Sequence, residues 1–226
     1  MPRRRPSSHA WLQEHRRDPY VLAAARDGYR SRAAYKLLEI HTRCGPGLLR
    51  PGMAVVDLGA APGGWTQVAL QHVGSHGGVV AVDLLAMAPL AGATVIQGDF
   101  LQEETVVTVR QTLGRKADLL LSDMAPNMSG MKAVDQPRGE RLVEAALAFA
   151  AAILKPQGSA VLKLFDGPGF PDLLRAARGA FAQVKVVKPK ASRGRSPEQY
   201  LVCQGFYAPC VNLEGVDARH QAGIHL

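Results

Sequence analysis

Lys163 sits inside an apolar run, Ala160-Val161-Leu162-Lys163-Leu164-Phe165. An ammonium is costly to bury unless it is paired, so a lysine there is either an edge residue reaching for water or a group placed for chemistry. The second reading is the stronger, because a carboxylate should lie beside it. Asp118-Leu-Leu-Leu-Ser122 has a strand pattern that runs into Asp123, and successive strands of an alternating α/β chain tend to be neighbours. An unperturbed lysine has a pKa of about 10.4, and burial or a second cation can bring a catalytic one to roughly 7–8, where it can take up a proton. Lys36 is a candidate for that second cation. Glu198 opens the last strand in Ser196-Pro197-Glu198-Gln199-Tyr200 and either orients a lysine or a substrate hydroxyl or faces solvent; spacing alone leaves both open.

A second set of acids points to what reacts there. Val55-Val-Asp57-Leu-Gly59-Ala-Ala-Pro-Gly63-Gly-Trp65 is a buried-strand run that breaks into a glycine-rich turn and then a helix. Two further apolar runs end in Asp83 and in Gly98-Asp99. Ligands of open α/β sheets bind outside the carboxyl ends of the strands, where these acids fall. A dinucleotide is disfavoured: its pyrophosphate needs Gly-x-Gly-x-x-Gly, and here Ala61 replaces the second glycine while Asp57 precedes the turn. Carboxylates suit a ligand with an amino group or a sulfonium, with Asp83 on ribose hydroxyls and Asp99 at an adenine edge. The combination looks like S-adenosylmethionine (SAM). One tight turn alone would be weak evidence; three acid-terminated strands in order are not.

The acceptor can be narrowed by what is missing. Methylation of an exocyclic base amine usually uses an aromatic in the loop after the fourth strand, and Met124-Ala125-Pro126-Asn127 has none. Methylation of a pyrimidine carbon needs a cysteine nucleophile, and Cys44, Cys203 and Cys210 lie near no such loop. Methylation of a hydroxyl needs a base, and Lys163 is one.

The charge balance points to the partner. The net charge is +8, and the excess is concentrated: residues 1–36 hold nine Lys or Arg against three acids, and residues 184–197 hold Lys185, Lys188, Lys190, Arg193 and Arg195 with no acid. Two such patches flanking one site favour a polyanion, most simply nucleic acid. Arg3, Arg4, Arg5, Arg32, Lys188, Lys190, Arg193 and Arg195 are the candidate RNA contacts. No apolar run approaches the ~20 residues of a membrane span. The N-terminus has no apolar core, so it is not a secretory signal, although an Arg-rich organellar presequence would look similar. An odd number of cysteines without motif spacing suggests reduced thiols in a cytoplasmic protein, and the seven histidines form no ligand-spaced set, so no metal is expected.

These groups must be held by a scaffold. Hydrophobic periodicity and turn residues give strands near 54–58, 79–83, 94–97, 118–122, 159–164, 183–187 and 199–206, with helices near 64–73, 103–114, 135–154 and 170–180. Upstream, 11–26 is helix-compatible but interrupted by Asp18-Pro19. Ser31 is placed to cap a helix over 32–42, with Ala34, Leu37, Leu38 and His41 on one face and Lys36 on another. The alternation predicts an α/β, Rossmann-like fold with a mostly parallel sheet flanked by helices, and seven strands with an antiparallel final hairpin would fit the usual SAM-dependent methyltransferase architecture. Residues 1–9 read as a basic arm, 10–206 as one methyltransferase domain including the N-terminal helices, and 207–226 as a tail without assigned role.

Ser31-Arg-Ala-Ala-Tyr-Lys36-Leu37, Asp57 to Trp65, Ser122-Asp123-Met-Ala-Pro-Asn-Met-Ser-Gly130 and Ser196-Pro-Glu198 together resemble the FtsJ/RlmE ribosomal RNA ribose 2′-O-methyltransferases, over about residues 10 to 206. The resemblance implies a Lys-Asp-Lys-Glu tetrad at Lys36, Asp123, Lys163 and Glu198, and SAM contacts at Gly63, Trp65, Asp83, Asp99 and Asp123, next to the Asp57 and Gly59 of the same turn. It further implies a uridine ribose in the A-loop of 23S rRNA, within the large ribosomal subunit, as the target, with no metal and no DNA substrate. A monomer is expected. Relatives acting on tRNA or mRNA caps share the tetrad, so the substrate rests on the overall match. The tail after Phe206 and Gly167-Pro-Gly169 depart from the family pattern.

Overall fold

The computed structural model describes residues 17–45, 47–193 and 196–207. Arg3, Arg4, Arg5 and Arg195, the expected arm at 1–9 and the tail beyond Tyr207 lie outside the described residues. The chain runs α1 (Pro19–Asp27), α2 (Ala33–Cys44), β1 (Ala54–Leu58), α3 (Gly64–Val73), β2 (Gly78–Asp83), β3 (Ala93–Gln97), α4 (Glu103–Leu113), β4 (Ala117–Ser122), α5 (Lys132–Ile153), β5 (Leu154–Phe165), α6 (Phe170–Ala180), β6 (Phe181–Val187) and β7 (Glu198–Phe206).

The seven strands form one sheet in the order β3-β2-β1-β4-β5-β7-β6. Pairing is parallel from β3 through β5, and β7 inserts antiparallel between β5 and β6. The chain reverses direction across the sheet after β1, so the β1/β4 boundary is the switch point at which ligands of such sheets bind. β1 and β4 are buried at every position, the signature of central strands covered on both faces. Alternate residues feed two layers. Val56, Leu58, Leu120 and Leu162 pack with α4, α5 and α6, whereas Val55, Leu119, Leu121 and Val161 pack with α2 and α3. Asp118, buried at the start of β4, accepts from Ala54 N–H at 2.7 Å and pairs with Lys155, so that carboxylate is satisfied inside the sheet.

Several expectations shift. Asp18-Pro19 does not interrupt a helix but starts α1: Asp18 caps it by accepting from Tyr20 N–H at 3.0 Å, and proline suits the first helical position, where no N–H partner is needed. Ser31 does not cap α2. That helix begins at Ala33 without a side-chain cap, and Ser31 Oγ instead packs against Gly64, where a Cβ would meet it at 2.3 Å. The buried face of α2 is Ala34, Lys36, Leu37 and Ile40, so Lys36 lies on the inner face and not on a separate one. A partner across the sheet, Glu198, is the reason. The helix expected at 135–154 begins three residues earlier, and its last residue belongs to a strand, because β5 extends back to Leu154 around an irregularity in its pairing with β4.

Candidate active site

Four elements bring one charged cluster to the carboxyl ends of β4 and β5. Lys163 Nζ lies 3.1 Å from Asp123 Oδ1, donates to the Asp123 carbonyl at 3.1 Å, and stands 3.8 Å from Glu198 Oε2. Lys36 Nζ lies 3.1 Å from Glu198 Oε1 and 3.6 Å from Asp123 Oδ1. The four residues expected from the sequence therefore alternate in sign around a small ring. Their side chains are 9–15% exposed, which leaves one open side for a reactant. Two ammonium groups and two carboxylates cancel overall, the condition under which charges tolerate burial.

A fifth member escaped the sequence reading. Tyr200, fully buried, donates its hydroxyl to Asp123 Oδ1 at 2.6 Å and stacks obliquely on Trp65, ring centres 5.6 Å apart. The signal was available: Tyr200 is two residues after Glu198 in β7, so both side chains share a sheet face, and it stands opposite Lys163 in the β5–β7 register. Burial alone would push the Asp123 carboxyl up, but the Lys163 and Lys36 charges and the hydrogen bonds from Tyr200 and Lys163 outweigh it and hold the group below its usual range. Burial, and then the charges of Asp123 and Glu198, raise the Tyr200 phenol well above its usual value, so it stays a donor. Asp123 is thus a fixed anion that accepts from Tyr200 and Lys163 and lies beside the Lys36 charge. It can orient a lysine amine but has little tendency to take a proton itself.

The neighbouring strand ends form the second half of the site. The turn after β1 passes through Gly59 and Gly63, both with positive φ (68° and 112°), which L side chains rarely adopt. A Cβ on Gly59 would meet Met124 Cγ at 2.4 Å, so the loop leaving β4 lies directly on this turn. Asp83 Oδ2 accepts from Ala61 N–H at 2.9 Å and Oδ1 from Leu85 N–H at 2.8 Å; Asp99 Oδ1 accepts from Leu101 N–H at 3.0 Å. Each carboxylate keeps lone pairs for a ligand. Arg30 fastens this region from outside, donating to the carbonyls of Pro62, Ala88 and Pro89.

Two residues of the turn hold it from within. Asp57 is 1% exposed and accepts from Thr66 Oγ1 at 2.7 Å, which leaves no surface for a ligand. Its carboxyl is pushed up to about 7, chiefly by burial, with Thr66 opposing and Asp123 and Asp83 adding to the rise. The sequence expectation of a direct contact is corrected: β1 carries Asp57 inside the sheet, one residue before its end. The Trp65 ring is likewise packed in the core, 2% exposed, with its indole N–H donating to the Ala33 carbonyl at 2.8 Å. Packing accounts for that ring; the backbone at the start of α3 is what can face a ligand.

The expected RNA contacts divide. Lys188 and Lys190 are exposed between β6 and β7, and Lys188 Nζ donates to the Ser196 carbonyl at 2.9 Å. Arg32 is corrected. Its guanidinium pairs with Asp18 at 3.1 Å, donates to the Ala191 carbonyl and is largely buried, so it ties α1 to the β6–β7 loop and is not offered to solvent. Arg193 approaches the same Asp18 at 3.6 Å and is half-buried. Among the described residues, no three His, Cys, Asp or Glu side chains converge as metal ligands, and no helix is long and apolar enough to cross a membrane. Burial pushes the Cys203 thiol to about 12, far from a nucleophile.

Comparison with known proteins agrees with this geometry. The FtsJ-like methyltransferase family matches residues 29–206. A protein of Magnetococcus marinus named ribosomal RNA large subunit methyltransferase E is 53% identical over 212 residues, covering 91% of this chain and 99% of the relative. A Plasmodium falciparum crystal structure described as a ribosomal RNA methyltransferase superposes with a TM-score of 0.71 at 28% identity, covering 79% of this chain and 98% of that one. Aeropyrum pernix fibrillarin, solved with S-adenosylmethionine, shares the fold at a TM-score of 0.54 and 15% identity, over 77% of this chain and 75% of that one. With the family match spanning the cluster and the turn alike, the chain belongs to the FtsJ-like methyltransferases.

Proposed function

We propose that this methyltransferase moves a methyl group from SAM to the ribose 2′-hydroxyl of a uridine in large-subunit (23S) ribosomal RNA, in the A-loop of the assembling subunit. The observation that carries the reading is the ring of Lys163, Asp123, Lys36 and Glu198 at the strand ends, which offers a base for a hydroxyl beside a β4 loop that has neither an aromatic nor a cysteine. The relatives' names support ribosomal RNA as the substrate.

The donor half fits SAM chemically: acceptors at Asp83 and Asp99 match ribose hydroxyls and an adenine amine, and the positive-φ turn leaves backbone close to a ligand. When bound, SAM supplies an activated methyl on a sulfonium. The chain's own part is to hold the acceptor oxygen in line and remove its proton; alignment of reacting atoms is worth up to about 7–11 kcal/mol in favourable cases. Lys163 takes or relays the 2′-hydroxyl proton. Asp123 aims the Lys163 amine through the 3.1 Å contact, while Glu198 holds Lys36. We place residues 10–206 in one catalytic domain, acting in the cytoplasm as a monomer without metal, with RNA gripped through the basic arm at 1–9 and the loop carrying Lys188 and Lys190.

The test is the product. Large-subunit RNA from cells lacking the gene, incubated with the protein and labelled SAM, is digested to nucleosides and analysed by mass spectrometry. The expected product is 2′-O-methyluridine, formed without added metal and absent with DNA, which has no 2′-hydroxyl. A base-methylated nucleoside would overturn the reading.

A further inference from the structure

The first turns of α5 are tied to both strand-end loops beside the charged ring. Asp135, 5% exposed, accepts from Ser129 N–H and Ser129 Oγ at 2.7 Å through Oδ1 and from Gly130 N–H at 2.9 Å through Oδ2. One helical turn on, Gly139 leaves room for Phe165 and Pro126: a Cβ there would stand 3.1 Å from Phe165 Cδ2 and 4.0 Å from Pro126 Cδ. Gln136 donates to the Asp166 carbonyl at 3.0 Å, and Glu140 accepts from Gly169 N–H at 2.8 Å. The loop leaving β4 and the loop leaving β5 are thus braced from one helix. Between Asp123 and α5 the chain has no regular structure of its own, so its shape rests on these anchors.

What Asp135 holds in place is chemically odd for a surface loop. Met128 and Met131 flank the clamped Ser129-Gly130 and are 58% and 57% exposed. They stand on the segment that starts at the acceptor-site carboxylate Asp123. Lys132 and Arg138, both exposed, add positive charge at the same helix start. Two unbranched thioethers beside cations suit a planar, polarisable group attached to a phosphate backbone, because sulfur makes favourable contacts with aromatic rings. Met124-Ala125-Pro126-Asn127 offers the base of the target nucleotide no aromatic partner.

We propose that Met128 and Met131 are the contact for the base of the target nucleotide, held outward by Asp135 as a positioning residue. This inference rests on the ribose-methylation reading above. The methionines grip the base without reading its hydrogen-bonding edge, which suits an enzyme whose chemistry is on the sugar.

The experiment is steady-state kinetics of the full chain on unmodified large-subunit RNA, with SAM affinity measured in parallel. Changing Met128 and Met131 together to Ala should raise KM for RNA about tenfold, leave kcat and SAM affinity within about twofold, and be largely rescued by Leu at both positions. Asp135→Asn sets an amide N–H against Gly130 N–H and should raise the RNA KM in the same direction. Combined with the methionine pair it should add little, because the two act through one contact. Unchanged RNA KM in the methionine pair overturns the base contact, and full additivity of Asp135→Asn with that pair overturns the positioning role. A wild-type protein that forms no 2′-O-methylated nucleoside overturns the reading beneath, a result distinct from an active wild type with indifferent methionines.

Discussion

The donor and acceptor halves of the site satisfy their charges in opposite ways. Around β1, β2 and β3 each acid is pinned by its own neighbourhood: Asp83 by the N–H groups of Ala61 and Leu85, Asp99 by that of Leu101, Asp57 by Thr66. Around β4, β5 and β7 no member stands alone. Lys36, Asp123, Lys163, Glu198 and Tyr200 satisfy one another across four elements. A self-contained acid can be altered at local cost, whereas a member of a mutually paired ring leaves a buried charge behind when it goes. Substitutions in the donor half should therefore act independently, and those in the acceptor half as a unit.

The largest expected effect lies in the acceptor half. Lys163→Ala should cut kcat about 10²- to 10⁴-fold, the span of general-base loss, with SAM affinity nearly unchanged. Lys163→Arg should not restore turnover, since a guanidinium cannot give up its proton near neutral pH. Arginine activity near wild type would demote Lys163 to a positioning cation. Lys36→Ala and Glu198→Ala should be strongly non-additive, and simple additivity would erase the contrast between the halves.

The next effect belongs to Asp57. Its folded pKa of about 7 stands against 3.8 in the unfolded chain, so the folded state retains a proton that the unfolded state has released. The linked stability is present in full at low pH and is lost as pH rises through the folded pKa, a total of about 4 kcal/mol. Asp57→Asn keeps an acceptor for Thr66 without the ionisation. Denaturant midpoints should show the variant gaining about 2–3 kcal/mol on the wild type between about pH 5 and pH 8. A gap that does not change with pH would mean the carboxylate is ionised in the fold.

Asp83 gives the third. Removing a carboxylate that accepts ribose hydroxyls should weaken SAM binding by about 1.5–3 kcal/mol, or roughly 10- to 150-fold in Kd. Because the acid is locally pinned, kcat at saturating SAM should move little. Calorimetry decides the first point and saturation kinetics the second; a large fall in kcat would couple the two halves.

This contrast also governs what the sequence made legible. The donor half is built from contiguous segments, so the apolar run into Asp57, the glycine turn and the acids at 83 and 99 could be read where they stand. All seven strands followed from periodicity in the same way, whereas the antiparallel ending came from the likeness to the methyltransferase architecture, because periodicity does not carry strand direction. The pairing of Lys163 with Asp123 followed from strand adjacency alone. That Lys36 faces inward was not legible, because its partner Glu198 is 162 residues away and helical periodicity ranks a lysine as exposed. Arg32 failed for the opposite reason: charge counting cannot tell a cation offered to solvent from one already held by Asp18. Asp57 read as a rim acid although the strand over 54–58 already contained it, because a carboxylate ranks as exposed and its partner Thr66 lies in the next helix; one residue separates the rim from the core.

The smallest effect tests that last distinction on the RNA side. Lys188 and Lys190 are exposed on the β6–β7 loop, whereas Arg32 is consumed between Asp18 and the Ala191 carbonyl. Each phosphate contact releases counterions and contributes about 0.7–0.9 to the slope of log affinity against log salt. Changing Lys188 and Lys190 together to Ala should flatten that slope by about one to two units and leave thermal stability alone. Arg32→Ala should do the reverse, lowering the melting temperature by cutting the tie between Asp18 and the Ala191 carbonyl while the salt slope stays put, because a cation already neutralised inside the fold has no counterion to release. If Arg32→Ala flattens the slope as the lysine pair does, its pairing with Asp18 opens on binding RNA, and the acceptor half would then rearrange around its substrate where the donor half does not.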